Sequence, residues 1–196
     1  MDFSKLGLIV YGPEMIHRES DPVEESDLEW LPKLRDAMIA TMRKSCGVGL
    51  AAPQLGIFKN YIVVELRNGN VIDLINPEVT RLYGKEIDGL EGCLSMPPFG
   101  NECPVPRMEN ADVECYGIEY EFRKWSFRRD DARVVQHELD HLTGTFFIDR
   151  VSEKRRMEVL QRFRIWKTEW EKQGKPFPFG GETNGRVARS FATYSR

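Results

Sequence analysis

The chain has 196 residues, 41% of them hydrophobic and 30% charged, which is enough apolar material for one domain with a real core and excludes a disordered or collagen-like polymer. Its 28 Lys and Arg against 31 Asp and Glu leave a formal charge of -3, so no global positive field recruits nucleic acid and any polyanion contact must be local. The longest apolar opening, 6–10, falls far short of the roughly 18 residues of a membrane span, four cysteines are too few for a disulfide scaffold, and the first residues lack a secretory pattern.

The apolar run 6–11, ended by Gly12 and Pro13, predicts a short strand. Leu31, Leu34, Met38, Ile39 and Met42 recur at spacings of three and four, predicting a helix over 27–43 with Asp27 as its cap. Gly47 and Gly49 interrupt that pattern, and the β-branched run 61–66 predicts a buried strand. Further strands are expected at 71–75, ended by Asn76 and Pro77, at 78–83 and at 111–123. The Pro- and Gly-rich stretch 92–106 reads as a loop opening at Cys93. A helix over 131–142, capped by Asp130 or Asp131 and closed by Gly144, carries two of the three histidines. His17, in an early loop, reads as a surface residue. The last helix, 153–172, places Met157, Leu160, Phe163, Trp166 and Trp170 on one stripe, and over 154–175 eight basic residues stand against three acidic ones. A Gly-, Pro-, Ser- and Thr-containing tail over 173–196 is expected to be mobile.

The chemistry concentrates in His137-Glu138-Leu139-Asp140-His141, an H-E-x-x-H run on a predicted helix. Residues i and i+4 share a helical face, so both imidazoles reach one metal ion, while Glu138 sits about 100° round the helix and reaches a water beside the metal. An isolated match of five residues also fits a helix whose side chains are merely solvated. The company of Cys93 decides: a thiolate with two imidazoles leaves one coordination position open, the pattern of a catalytic metal site. Cys46, Cys103 and Cys115 read as inert buried thiols.

Three segments carry a family resemblance: Gly47-Val48-Gly49-Leu50-Ala51-Ala52-Pro53-Gln54, Glu91-Gly92-Cys93-Leu94-Ser95 and Gln136-His137-Glu138-Leu139-Asp140-His141. In order and spacing they resemble the three signature motifs of peptide deformylases, and Leu74-Ile75-Asn76-Pro77 and the basic last helix extend the likeness over about 6–172. The resemblance implies an α+β fold, with small antiparallel β-sheets around the central metal-motif helix and a C-terminal helix. It implies a catalytic domain over 1–172 and a metal-dependent hydrolase that removes the formyl group from the N-terminal formyl-methionine of nascent chains. Cys93, His137 and His141 would hold one divalent ion, natively Fe(II) and replaceable by Zn, Ni or Co. Glu138 would be the general base, and Gln54 with the backbone N–H of Leu94 would hold the carbonyl oxygen. Gly49 would pair with the substrate backbone like an added strand. Val48, Gly92, Leu94 and Val134 would line a pocket for the methionine side chain. Glu91 and Arg107 resemble an ion pair that fixes the Cys93 loop. The last helix resembles the bacterial type that docks on the ribosome, and the absence of a secretory pattern in the first residues leads to the expectation of a cytoplasmic protein or a mature form already trimmed.

Two segments depart from the family pattern. Ser126-Phe127-Arg128-Arg129-Asp130-Asp131 stands where Gly and apolar residues usually lead into the metal helix, so Asp130 is either a helix cap or a polar rim on the methionine pocket. The 96–106 loop is longer than in common bacterial members and carries Asn101-Glu102 near a position where many have a substrate-side arginine. Two other readings stay open: an amide hydrolase acting on another acyl group, and a weakly active homologue that binds peptides or ribosomes.

Overall fold

A computed structural model of the chain describes residues 3, 6–12, 17–97 and 102–174. Five strands, β1 (Gly49–Ala51), β2 (Tyr61–Glu65), β3 (Val71–Glu91), β4 (Cys103–Tyr116) and β5 (Phe122–Arg128), form one antiparallel sheet in chain order. Three helices accompany them: α1 (Leu31–Lys44), α2 (Arg129–Leu142) and α3 (Glu153–Lys172). The α+β architecture is therefore the one expected, with its antiparallel strands gathered in a single sheet.

β2 is buried on both faces, which is why it reads as a continuous apolar run. Tyr61 and Val63 pack with Leu31, Leu34, Met38 and Met42 of α1, whereas Ile62 and Val64 pack with Ala132, Val134 and Val135 of α2. α1 and α2 thus cover opposite faces, and α2 is held inside the molecule. α3 joins a third cluster, where Val159 and Phe163 meet Tyr11, Phe146 and Phe147. Met157, expected on its apolar stripe, is instead exposed.

Several elements differ from expectation for identifiable reasons. Residues 6–11 form no strand; they are tied individually, Ile9 N–H donating to Gln54 O at 2.7 Å and Tyr11 N–H to Ser95 O at 2.8 Å. Asp27 caps no helix: α1 starts behind Trp30, and Asp27 closes a preceding 3-10 turn while pairing with Lys59 at 2.6 Å. Asn76 and Pro77 do not end a strand. They sit in a bulge of β3 between the Ile75–Tyr116 and Glu78–Glu114 pairs, with Asn76 at φ 49° and its side-chain amide bonded both ways to Val23, at 2.7 and 2.9 Å. The strands expected at 71–75 and 78–83 are therefore one, and it runs on to Glu91. Part of the expected 92–106 loop is strand as well, because Pro104 and Pro106 pair with Leu90 and Asp88. Two residues apart, the prolines turn their donor-less nitrogens the same way, and β5 joins β4 only from Asn110 onward. The strand expected over 111–123 breaks after Tyr116 at a turn with Tyr120 at φ 58°.

α2 starts two residues early, and neither Asp130 nor Asp131 caps it. They lie in its first turn, favourable to the helix dipole, and engage Arg67: Asp131 accepts its N–H at 3.0 Å and Asp130 pairs with its guanidinium at 3.2 Å. Gly144 does end the helix, at φ 65°, where a Cβ would collide with the backbone of His17 and Arg18. α3 keeps the expected bounds, with Ser152 capping it at 3.4 Å to Arg155 N. The 173–196 tail lies outside the described residues beyond Gly174, as does Asn101 of the 96–106 loop.

Candidate metal centre

α2 presents His137 and His141 one turn apart on its inner face, their ring centroids 5.0 Å from each other. β3 ends at Glu91, and the turn that follows brings in Cys93, closed by a 2.8 Å bond from Met96 N–H to Cys93 O. The three donor atoms lie within 4.8 Å of one another, and all three residues are buried. Among the described residues this is the one such group. Cys93 Sγ is 3.4 Å from His141 Nε2. His137 Nδ1 meets Glu91 Oε2 at 2.9 Å, which orients the ring and directs its other nitrogen to the cluster.

The local electrostatics suit a cation. Burial alone lowers the His137 imidazole, but hydrogen bonding with Cys93 and Glu91 outweighs it and holds the group well above its ordinary value. Burial and the neighbouring His137 push His141 well below, toward the neutral ligand form. Glu91 is fully buried; burial would raise its carboxyl, yet the bonds from His137 and Arg107 hold it at about 2. Glu91 engages one nitrogen of His137 and leaves the other for a ligand, and soft thiolate with imidazole is a fitting donor set for a divalent transition metal.

Arg107 grips Glu91 with two bonds of 3.0 Å, as the resemblance implied, and extends to Asp140 at 2.5 Å and Gln136 O at 3.4 Å. Asp140 also accepts from Arg150 at 2.5 and 3.2 Å. Sequence reasoning did not single out Asp140 or Arg150. The available signal was a carboxylate inside the motif at i+3 from His137, whose burial on a core helix demands a cation.

Glu138 and Gln54 are the other two polar residues expected at the centre, and both are buried. Glu138 is buried, its Oε2 has no hydrogen-bond partner, and burial together with nearby Glu91 raises its carboxyl to about 7. It lies directly over Gly49, where a Cβ would stand 2.8 Å from Glu138 Cγ. Gln54 sits in a 3-10 turn, Ala52–Leu55; its Oε1 accepts from Ala51 N–H at 2.9 Å, which turns its Nε2 toward Ser95 Oγ at 3.3 Å and Cys93 Sγ at 3.7 Å. Leu94 is half-buried, close enough to Gly47 that a Cβ there would lie 2.8 Å from Leu94 Cδ1. Gly92 is buried beside Cys93. Val48 and Val134 join the same apolar cluster, Val134 fully inside the core. β1 stands at one end of the sheet order, so Gly49 lies on a strand whose outer edge pairs with no other strand among the described residues.

The departing segments have other partners. Asp130 is half exposed at 49%, bound to Arg67, and lines a cavity of about 340 Å³ with Ile87, Gly89, Met108, Arg129 and Arg133. Glu102 pairs with Arg162 of α3 at 2.8 Å. His17 is exposed, as expected; Cys103 and Cys115 are buried, but Cys46, expected to be a buried thiol, is exposed in the turn after α1.

Residues 6–157 match the Polypeptide deformylase family. The chain belongs to that family. It is 40% identical over 144 residues to a peptide deformylase of Desulforudis audaxviator, covering 74% of this chain and 92% of that one. A peptide deformylase structure from Thermus thermophilus superposes with a TM-score of 0.76 at 34% identity, over 86% of this chain and 98% of that one. A class I type b peptide deformylase from Acinetobacter baumannii, solved with Met-Ala-Ser bound, gives a TM-score of 0.68 at 35% identity over 74% and 98%. With membership goes metal-dependent hydrolysis of the N-formyl group of formyl-methionyl peptides. No described helix is long and apolar enough to cross a membrane.

Proposed function

We propose that Cys93, His137 and His141 hold one divalent ion, natively Fe(II) and replaceable by Zn, Ni or Co, and that this centre deformylates the N-terminal formyl-methionine of nascent polypeptides. The observation that supports this reading is the meeting of three buried donor atoms, with the Gln54 amide 3.7 Å from Cys93 Sγ and, next to His137 in the chain, a buried Glu138 whose Oε2 has no hydrogen-bond partner among the described residues. When bound, the ion supplies Lewis acidity, which polarises a carbonyl and brings a water's pKa down to about 7 in favourable sites.

The chain's own groups do the rest. Glu138 takes the proton of the attacking water and delivers it to the departing amine nitrogen. Gln54 Nε2 and the backbone N–H of Leu94 donate to the carbonyl oxygen as charge builds there, and because Gln54 is pinned by Ala51 it needs no reorganisation. The substrate backbone adds to the free edge of β1 at Gly49, which is glycine because the Glu138 side chain fills the space of a Cβ. Val48, Gly92, Leu94 and Val134 form the wall against the methionine side chain. Residues 1–172 constitute the catalytic unit, working in the cytoplasm. The basic surface of α3 meets the ribosome, a contact whose affinity falls steeply with added salt.

The test is formate release from formyl-Met-Ala-Ser by anaerobically prepared Fe(II) protein, beside the acetyl peptide. Turnover of the formyl peptide alone supports the reading. Equal turnover of both makes the chain a broader amide hydrolase, and turnover of neither by metal-loaded protein makes it a binding module.

A further inference from the structure

Arg133 stands one helical turn before His137, on the same face of α2, and both terminal nitrogens of its guanidinium bond the two strands that flank the Cys93 turn. One terminal nitrogen donates to Glu91 Oε1 at 2.8 Å and to Val105 O at 2.7 Å, with a weaker share to Gly89 O at 3.3 Å. The other donates to Ile87 O at 2.5 Å. These acceptors lie at the end of β3, at the start of β4 and on the carboxylate that orients His137.

Gly89 makes the seat. A Cβ there would fall 2.6 Å from Arg133 Cζ and Nε and 2.7 Å from a terminal nitrogen. Gly89 is glycine because the guanidinium occupies its side-chain space. The outer side of Arg133 lines the 340 Å³ cavity, whereas Glu91 behind it is fully buried, so Arg133 also stands between that cavity and the carboxylate.

We infer that Arg133, seated on Gly89, is a positioning residue for the metal centre: it fastens the strand ends that deliver Cys93 to the helix that delivers both histidines. The inference rests on the metal-centre reading above. Its chemistry requires a planar fork with several donors, which a lysine ammonium does not supply.

The experiment compares Arg133→Met, Arg133→Lys, Gly89→Ala and the Gly89→Ala/Arg133→Met double variant with wild type, all loaded with Zn(II) or Co(II). Metal release into excess chelator, the Co(II) absorption spectrum, the urea midpoint and kcat with KM are measured on each. Arg133→Met should release metal ~10- to 100-fold faster, the range for residues that support metal ligands. Its Co(II) bands should shift and kcat fall more than KM rises. Gly89→Ala should act in the same direction by expelling the guanidinium, and the double variant should be no worse than the worse single one, because the clash disappears with Arg133. Arg133→Lys should recover only part of the loss, and it carries the measurement if Arg133→Met does not fold.

Unchanged metal release and spectrum in folded Arg133 variants, or a lowered urea midpoint with normal metal release, would overturn the inference and leave Arg133 a plain brace. Fully additive losses in the double variant would overturn the coupling to Gly89. A wild type that retains no metal would overturn the metal-centre reading itself, an outcome the release assay registers before any variant is compared.

Discussion

α2 and α3 handle charge in opposite ways. On α2, His137, Glu138, Asp140 and His141 are all buried, and Asp140 is held by two arginines. On α3 only Val159 and Phe163 are buried; of its ion pairs, Arg155 with Glu158 and Arg162 with Glu102 are roughly half exposed and Arg156 with Asp149 is partly so. A buried charge that loses its partner has no water to turn to, whereas an exposed one does. The difference teaches where single substitutions should matter: on α2 the buried His137 and Asp140 are held by charged groups that depend on them in turn, and on α3 the exposed pairs are nearly independent.

The largest effects should fall at the centre itself. Stripping the metal, or replacing His141 by Ala, should reduce formate release to background with loss of bound metal. Glu138→Gln should also cost at least ~10²- to 10⁴-fold in kcat, the range for a general base, while keeping one metal per chain by elemental analysis. Loss of metal in Glu138→Gln would move that residue from proton transfer to ligation. Gln54→Ala comes next, at ~10²- to 10³-fold in kcat for one lost donor to the developing oxyanion. An effect confined to KM would contradict the role assigned to its amide.

Below these lie stability effects. Asp140→Ala leaves Arg107 buried with one carboxylate fewer, and should lower unfolding free energy by about 3 kcal/mol in urea titrations. The Glu91 network also predicts a pH signature. Its carboxyl is held at about 2 in the folded protein against an ordinary 4.5, so its stabilising contribution is fully present above 4.5 and is lost as pH falls toward 2. The gap in urea midpoint between wild type and Glu91→Gln should therefore close on acidification through that window; a gap constant with pH would assign Glu91 a role other than its charge.

How far this contrast was legible in the sequence depended on how local its causes are. The i, i+4 spacing places His137 and His141 on one face without tertiary information, and the apolar spacing of α1 identifies Leu31, Leu34, Met38 and Met42 as core. The ends of α3 are written in its own residues, with Ser152 before it and the pattern stopping at Lys172. β3 and β4 are different. Asn76, Pro77, Pro104 and Pro106 read as breakers, yet their effect depends on a bulge and on an edge that the neighbouring strands create. The partners of Asp140 were likewise hidden: Arg107 lies 33 positions away, and only the packing of α2 on β4 brings them together. Asp130 and Asp131 had the composition of a cap, but Arg67, far away in sequence, claims both.

The smallest expected effect is the sharpest check on the contrast. Arg155 and Glu158 are neighbours at i, i+3 on α3, 3.1 Å apart, with side chains 48% and 47% exposed. Such a pair in high dielectric contributes a few tenths of a kcal/mol, so Arg155→Ala should move unfolding free energy by no more than about 0.5 kcal/mol and leave kcat and KM untouched. The shift should shrink in high salt, because the attraction is exposed to screening. A loss above about 1 kcal/mol, or one indifferent to salt, would mean that the arginine acts through the packing of its stem instead. The contrast between the two helices would then lie in packing, with charge incidental to it.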